Sequence, residues 1–188
     1  MRRFLKNFIV IISALVLWQS VYFIFQINNP ILPPPIEIGR ALVEVIATKE
    51  IFIHILNSLQ RVLVGFSLAS VVGIFLGLIL GYYKKVGDFF RPLVEVLRPI
   101  PPIAWIPIAI LLFGLGDESA YFIIFLGAFF PIFTNTYFGA ESLPKIYKNI
   151  SASFEFSRLV FFKDILFKYS LPFIFAGLKS AWAWPGFA

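Results

Sequence analysis

Long runs without charge constrain this chain most strongly. Three runs of 21 or 22 residues contain no charged side chain: 7–27, 62–83 and 119–140. A helix needs about 20 mostly apolar residues to cross a bilayer. Residues 99–116 provide a fourth run, and a fifth starts near Pro172 and is interrupted by Lys179. Because these runs are apolar on all sides, they suit helices rather than alternating barrel strands. The sequence predicts an all-α membrane protein, a polytopic bundle of about five transmembrane helices.

Composition excludes several other classes of protein. The chain is 60% apolar and 14% charged, whereas soluble domains average about 45–50% and about 25%. It contains no cysteine, which excludes disulfide scaffolds, thiol enzymes and cysteine-ligated metals. In so apolar a chain, the net charge of +6 indicates cytoplasmic loops of a membrane protein and not a nucleic-acid partner.

The distribution of lysine and arginine predicts the orientation. Cations concentrate before the first run, in 84–98 and in 141–170, whereas the 114–119 turn has none. The positive-inside rule places the N-terminus and both cationic segments in the cytoplasm. The first run is not followed by a cleavage site, so it is predicted to be an uncleaved anchor. In residues 36–53 the apolar side chains have helical spacing, which predicts an outer helix. Two regions result: 1–53, an N-terminal anchor helix and outer connector, and 54–188, the main membrane domain.

Residues that could perform catalysis are scarce. The only histidine is His54, just before the second run, and Asp117 and Glu118 are adjacent in a turn and are predicted to be solvated. There is no phosphate-binding G-x-x-x-x-G-K-[ST] motif. The sequence therefore predicts no catalytic residue, no metal and no cofactor. An enzyme acting within the membrane, such as a lipid transferase, is the least favoured class.

Glycines lie four residues apart in the second run, at Gly73, Gly77 and Gly81. Small residues at this spacing allow helix backbones to approach closely in a bilayer. The stripe predicts helix packing, either within the subunit or against a neighbour that shifts during function.

Several prolines, including Pro101 and Pro102, lie at the start of the run 99–116, and Trp105 follows them. Proline removes a backbone donor and fixes φ. One interpretation is a discontinuous span on a transport pathway. The other is a helix that starts after an extended loop. Trp105 is accordingly either an interface anchor or an aromatic residue of the pathway.

Several stretches resemble a known family. They are 58–66, 73–77, 91–107, 113–116 and 127–131. The proline-rich stretch 91–107 is the most specific of them. Over residues 30–180 the chain resembles the inner-membrane permease domain of ABC importers, in particular the nitrate, sulfonate and taurine type.

The resemblance implies an incomplete type-1 ABC permease fold at 54–188, in a multi-pass protein of the bacterial inner membrane. It implies a permease that moves a small solute, such as the anions sulfonate, taurine or nitrate. Its partners would be separate ABC ATPase subunits that hydrolyse ATP, a second permease copy, an extracytoplasmic substrate-binding protein and membrane lipid.

The resemblance also places a coupling helix, which contacts the ATPase, within 145–163. The best register against the family pattern places Ser151 on an alanine, Glu155 on a glycine, Ile165 on an isoleucine and Lys168 on a proline. Phe154 precedes the glycine position. We expect Ser151, Phe154, Glu155 and Ile165 to form the ATPase coupling site.

Three departures from the family pattern support an alternative function. This chain has Glu155 where the family pattern has a glycine. Glycine would allow a left-handed turn there, which other residues adopt at a cost of about 1–2 kcal/mol. The chain ends soon after the coupling segment, and Lys179 lies in the last run. The alternative is a truncated, non-transporting permease remnant that supports little or no uptake.

Overall fold

The computed structural model describes residues 2–25 and 33–183 and divides into two compact units, Met1–Asn57 and Ser58–Ala188. The regular structure of the described residues is helical throughout, without a strand. The prediction of an all-α fold is therefore confirmed. The ends of the first and last predicted runs, 26–27 and 184–188, lie outside the described residues.

The first unit contains helices α1 (Arg2–Ile24) and α2 (Pro35–Ala47). Pro34 precedes α2 in an extended conformation, and proline at the first helical position suits the fixed φ of its ring. The side chain of Gln19 accepts a hydrogen bond of 3.2 Å from the backbone N–H of Ile36. The predicted outer helix 36–53 is wrong beyond residue 47, because Lys49 has a φ of +61° and ends it.

Among the described residues, three helices are long and apolar enough to cross a membrane. They are Lys6–Ile24 within α1, all of α3 (Glu50–Tyr82) and all of α6 (Asp117–Glu141). Helix α3 begins before the charge-free run 62–83, so the second predicted crossing is longer than the run that predicted it. Their length and composition agree with the predicted membrane class.

The third predicted crossing, 99–116, is not one continuous helix. A turn of 3₁₀ helix (Pro102–Trp105) leads into α5 (Ile106–Phe113), which has only 8 residues. Together they form an angle of 91° with the preceding helix α4 (Lys84–Leu97). Of the two interpretations of this stretch, the bend agrees with the discontinuous one, because prolines remove backbone donors and break the helix.

Helices α3 and α6 run parallel in the second unit. At one end, Arg61 Nε forms an ion pair of 2.7 Å with Asp117, so Asp117 is not merely solvated. Toward the other end, Gly81 of α3 lies against Ala140 of α6. Two parallel spans require the intervening chain to cross the membrane once. The chain between them passes from one end of this helix pair to the other, and it bends by 91° between α4 and α5.

The last long helix, α9 (Phe167–Trp182), packs antiparallel to α6. Gly139 of α6 approaches Phe173, and Gly177 of α9 approaches Ile132. Residues of three helices meet in one buried cluster: Ala69, Ala128, Ile132 and Ala181. The fifth predicted crossing, expected to start near Pro172, corresponds to α9. This helix begins earlier, at Phe167, and Pro172 lies inside it. It follows α8 (Arg158–Val160) and a π-helix (Phe161–Leu166) without a gap.

Candidate functional site

The segment between α6 and α9 contains the residues for which we expected a coupling role. It begins with α7 (Lys145–Ser153), which follows Pro144 and ends at Phe154. The N–H of Glu155 donates to the carbonyl of Ala152 at 3.2 Å, and the N–H of Phe156 donates to that of Ser151 at 3.0 Å. These two bonds define a Schellman motif at the end of the helix. They satisfy carbonyls that would otherwise have no partner.

Glu155 occupies the left-handed position of that motif, with a φ of +52°. This is the position that the family register assigns to glycine. A side chain raises the energy of this conformation, yet the turn between two helices is formed. The turn is therefore formed with glutamate at this position, and the two backbone hydrogen bonds hold it.

The next helix starts immediately after the turn. Ser157 is extended (φ −62°, ψ 152°), and its hydroxyl oxygen accepts a hydrogen bond from the N–H of Val160 at 3.3 Å. This side-chain cap satisfies one free donor at the start of α8. The sequence signal for this cap is the serine itself, a residue type preferred at helix starts.

Aromatic rings connect the segment to the end of α3. The Tyr82 ring lies 5.2 Å from that of Phe161 and 5.0 Å from that of Phe162. The ammonium of Lys148 on α7 lies 4.7 Å from the centre of the Tyr82 ring. Tyr82 therefore contacts both helical parts of the segment and stabilises their arrangement.

A cavity of about 430 Å³ opens beside this contact. Buried Ser151 and left-handed Glu155 both line it, together with Arg158. The structure thus brings two of the four predicted coupling residues together.

Phe154 lies on the exposed side, with 71% of its surface accessible. Its ring stacks on that of Phe156 at 5.9 Å. Large apolar side chains of neighbouring helices are also exposed: Ile146, Ile150 and Leu159. We call these five side chains the exposed apolar surface. Exposed apolar groups in a cationic segment are typical of a surface that binds a partner or lipid.

Ile165 lies beneath the segment rather than on this surface. It packs against a buried cluster of Ala140, Leu143, Phe161 and Leu166. Near it, the hydroxyl of Tyr169 donates to the carbonyl of Ser142 at 3.3 Å. Ile165 therefore supports the connection between the segment and the membrane helices.

One ion pair lies on the exposed side of the π-helix. Lys168 Nζ donates a hydrogen bond of 2.8 Å to Asp164. This bond, together with the charge of Lys168, holds the pKa of the Asp164 carboxyl below its ordinary value.

The three predicted packing glycines face α6. A Cβ atom added to any of them would lie closer to an α6 side chain than van der Waals contact allows. The distances are 3.1 Å for Gly73 and Ile132, 2.7 Å for Gly77 and Thr136, and 2.7 Å for Gly81 and Ala140. Their lack of a side chain allows the two helices to approach closely.

The proposed pathway residues form the bend before α5. Pro101 is exposed, Pro102 starts the 3₁₀ turn, and Trp105 is half-buried at its end. Within the described residues, the buried indole Nε1 of Trp105 has no hydrogen-bond partner. The structure therefore places these residues at a break in a span, away from the exposed apolar surface.

The described residues contain no group of three or more histidine, aspartate or glutamate side chains that could hold a metal ion. The features found are a closely packed helical membrane unit and, at one end of it, a short helix–turn–helix with exposed aromatic residues. They define the class of a membrane-embedded helical protein. The chain belongs to the family of inner membrane components of binding-protein-dependent transport systems, which matches residues 69–186.

Relatives in this family are permease proteins. The chain is 45% identical over 131 residues to the nitrate import permease protein NrtB of Synechocystis, covering 70% of this chain and 48% of that protein. It is 39% identical over 131 residues to NrtB of Leptolyngbya laminosa, covering 70% and 47%. It is 35% identical over 133 residues to the bicarbonate transport system permease protein CmpB of Synechococcus elongatus, covering 71% and 48%. The chain spans about half the length of these curated relatives.

Proposed function

We propose that this chain is the permease subunit of an ATP-driven ABC importer that moves a small oxyanion across a bacterial cell membrane. Family membership supports the class, and relatives named for nitrate and bicarbonate support the kind of solute. In this proposal the chain hydrolyses no ATP itself. It pairs with a second permease copy, two ATPase subunits and an extracytoplasmic substrate-binding protein.

The observation that supports a coupling role is the Schellman turn at Glu155. It separates two helices and leaves Phe154 exposed on a cationic segment. An amphipathic helix can dock through such apolar side chains into a groove of a partner. We infer that 146–162 docks into an ATPase subunit and transmits its closure through Ile165 to the membrane helices.

Site-specific photo-cross-linking tests this role in membranes that contain the complete transporter. A benzophenone amino acid at Phe154 should capture the ATPase subunit. The matched control is Phe113, which is also exposed but precedes the turn predicted to lie outside. Capture of lipid alone from position 154, with the ATPase present, would instead indicate a helix lying on the membrane.

Thiol labelling tests the proposed orientation, with the N-terminus in the cytoplasm. The chain contains no cysteine, so single cysteines can be introduced without background. A membrane-impermeant reagent should label Asp117→Cys in intact cells and leave Lys85→Cys unlabelled until the cells are opened. The reverse pattern would overturn the orientation.

A further inference from the structure

Helix α9 buries one face and exposes a cation on the other. Its buried residues are Ser170, Ile174, Gly177 and Ala181. At about 100° per residue, Lys179 lies on the side opposite these positions, and it is exposed. Its ammonium therefore points away from α6.

The level of Lys179 follows from the packing of α9 on α6. Gly177 lies against Ile132 and Asn135, and Gly139 lies against Phe173. Lys179 is thus level with about residue 131 of α6. At 1.5 Å per residue, this level is about 15 Å from Glu141 and about 21 Å from Asp117. Because α6 is a span, Lys179 lies near the middle of the membrane.

The two long helices beside α9, α3 and α6, have no charged side chain at this level, and the charged side chains of α4 nearest to it lie against Phe133 and Thr134 of α6. Helix α3 has none between Arg61 and its end at Tyr82, and α6 has none between Glu118 and Glu141. Among the described residues, Lys179 forms no ion pair and no hydrogen bond through its side chain.

An ammonium at this depth is unfavourable in lipid, and such residues face a water-filled cavity or an opposite charge. The four-carbon stem of lysine is too short to bring its charge to either surface from here. The exposed face of α9 around Lys179 is therefore not a lipid-facing surface in the assembled protein.

We propose that Lys179 lines the translocation route and binds the transported oxyanion there. This rests on the proposed function and extends it to a residue and a ligand class. Nitrate and bicarbonate, named for two relatives, are both planar monoanions with three oxygens on one central atom. A lysine ammonium is a compact charge that needs no fixed ligand geometry. A single such contact attracts an anion and still allows its release.

Uptake into liposomes tests this with the complete transporter, including its ATPase and binding protein. Nitrate and bicarbonate are supplied outside and ATP inside. Lys179→Gln should lower uptake about tenfold or more, as expected for loss of a hydrogen bond to a charged group, and Lys179→Arg should retain most of it. Lys85→Gln, which removes an exposed cation from the start of α4, should have no effect. Equal uptake by the unaltered protein and Lys179→Gln would overturn the proposal for Lys179 alone. Absence of uptake by the unaltered protein would overturn the proposed function, and this proposal with it.

Chemical rescue separates loss of charge from loss of folding. Lys179→Cys should react with a cationic aminoethyl methanethiosulfonate, which restores an ammonium through a mixed disulfide and should restore uptake. An anionic sulfonatoethyl reagent should react without restoring it, and nitrate should slow both reactions. Ile174→Cys, on the buried face, should not react. A cysteine at 179 that is unreactive in every nucleotide state would show that Lys179 is covered by protein or lipid. A cysteine that reacts equally with and without nitrate would show that the anion does not bind there. Either result would overturn the proposal.

Discussion

The contact between α3 and α6 differs in kind from the segment that connects α6 to α9. The first depends on missing side chains, because Gly77 and Gly81 allow two parallel helices to approach closely. The second depends on side chains that are present, because Tyr82, Phe161 and Lys148 hold short helices around a left-handed turn.

The two regions therefore tolerate different substitutions. A close helix contact leaves no room for added atoms, so even a methyl group forces the helices apart. The connecting segment is largely exposed and made of short pieces, and its turn forms with a non-ideal residue such as Glu155. The same chain therefore contains one region with strict steric limits and one with loose limits.

The largest expected effect comes from the glycine contact. Gly77→Ala should lower the free energy of unfolding by about 1–3 kcal/mol, because its Cβ would lie 2.7 Å from that of Thr136. Gly39→Ala on α2 is the matched control, since it meets nothing within 4 Å and alanine is a better helix former. Unfolding of the purified protein in detergent–SDS mixtures measures both. Equal effects at the two positions would contradict the steric argument.

The aromatic contact should rank second. Tyr82→Leu removes the ring that meets Phe161, Phe162 and Lys148, and we expect a loss of about 1–2 kcal/mol. Hydrogen exchange of 145–166 should accelerate more than that of α6. Tyr82→Phe keeps the ring and should remain near the unaltered protein. Uniform acceleration along the whole chain would mean that Tyr82 stabilises the fold generally and not this segment.

The left-handed turn should give a smaller effect of opposite sign. Glu155→Gly relieves the unfavourable φ of +52° and should stabilise the segment by about 1 kcal/mol. Glu155→Ala removes the carboxylate but keeps Cβ, so it should give no such gain. The same unfolding titration distinguishes them. A gain from alanine equal to that from glycine would assign the effect to charge rather than to backbone conformation.

The smallest effect concerns the pair of Asp164 and Lys168. Its hydrogen bond lowers the pKa of the Asp164 carboxyl, so the pair contributes stability above the ordinary pKa of aspartate. That contribution is lost as the pH falls through the lowered pKa. Lys168→Gln should move the pKa of Asp164 upward, as measured by NMR titration of labelled aspartate. An unchanged pKa would show that the contact does not persist in solution.

Much of the fold could be predicted from local pattern. Runs without charge identified α1, α3 and α6, because a membrane span must be long and apolar whatever it packs against. The family register placed glycine at position 155, and the structure has Glu155 in the conformation that glycine favours. In contrast, the bounds of the outer helix were wrong, since Lys49 turns the chain where the apolar spacing continues.

Local sequence pattern is enough to predict the class of this protein, its helical spans and the position of its connecting segment, because length, polarity and backbone preference are local properties. Three further facts required the helices to be placed in space: α3 and α6 are parallel, the chain bends by 91° between α4 and α5, and Lys179 lies on the exposed face of α9 near the level of residue 131. These facts depend on which helices meet. That choice is made by close packing between residues far apart in the chain, such as Gly81 with Ala140 and Gly177 with Ile132.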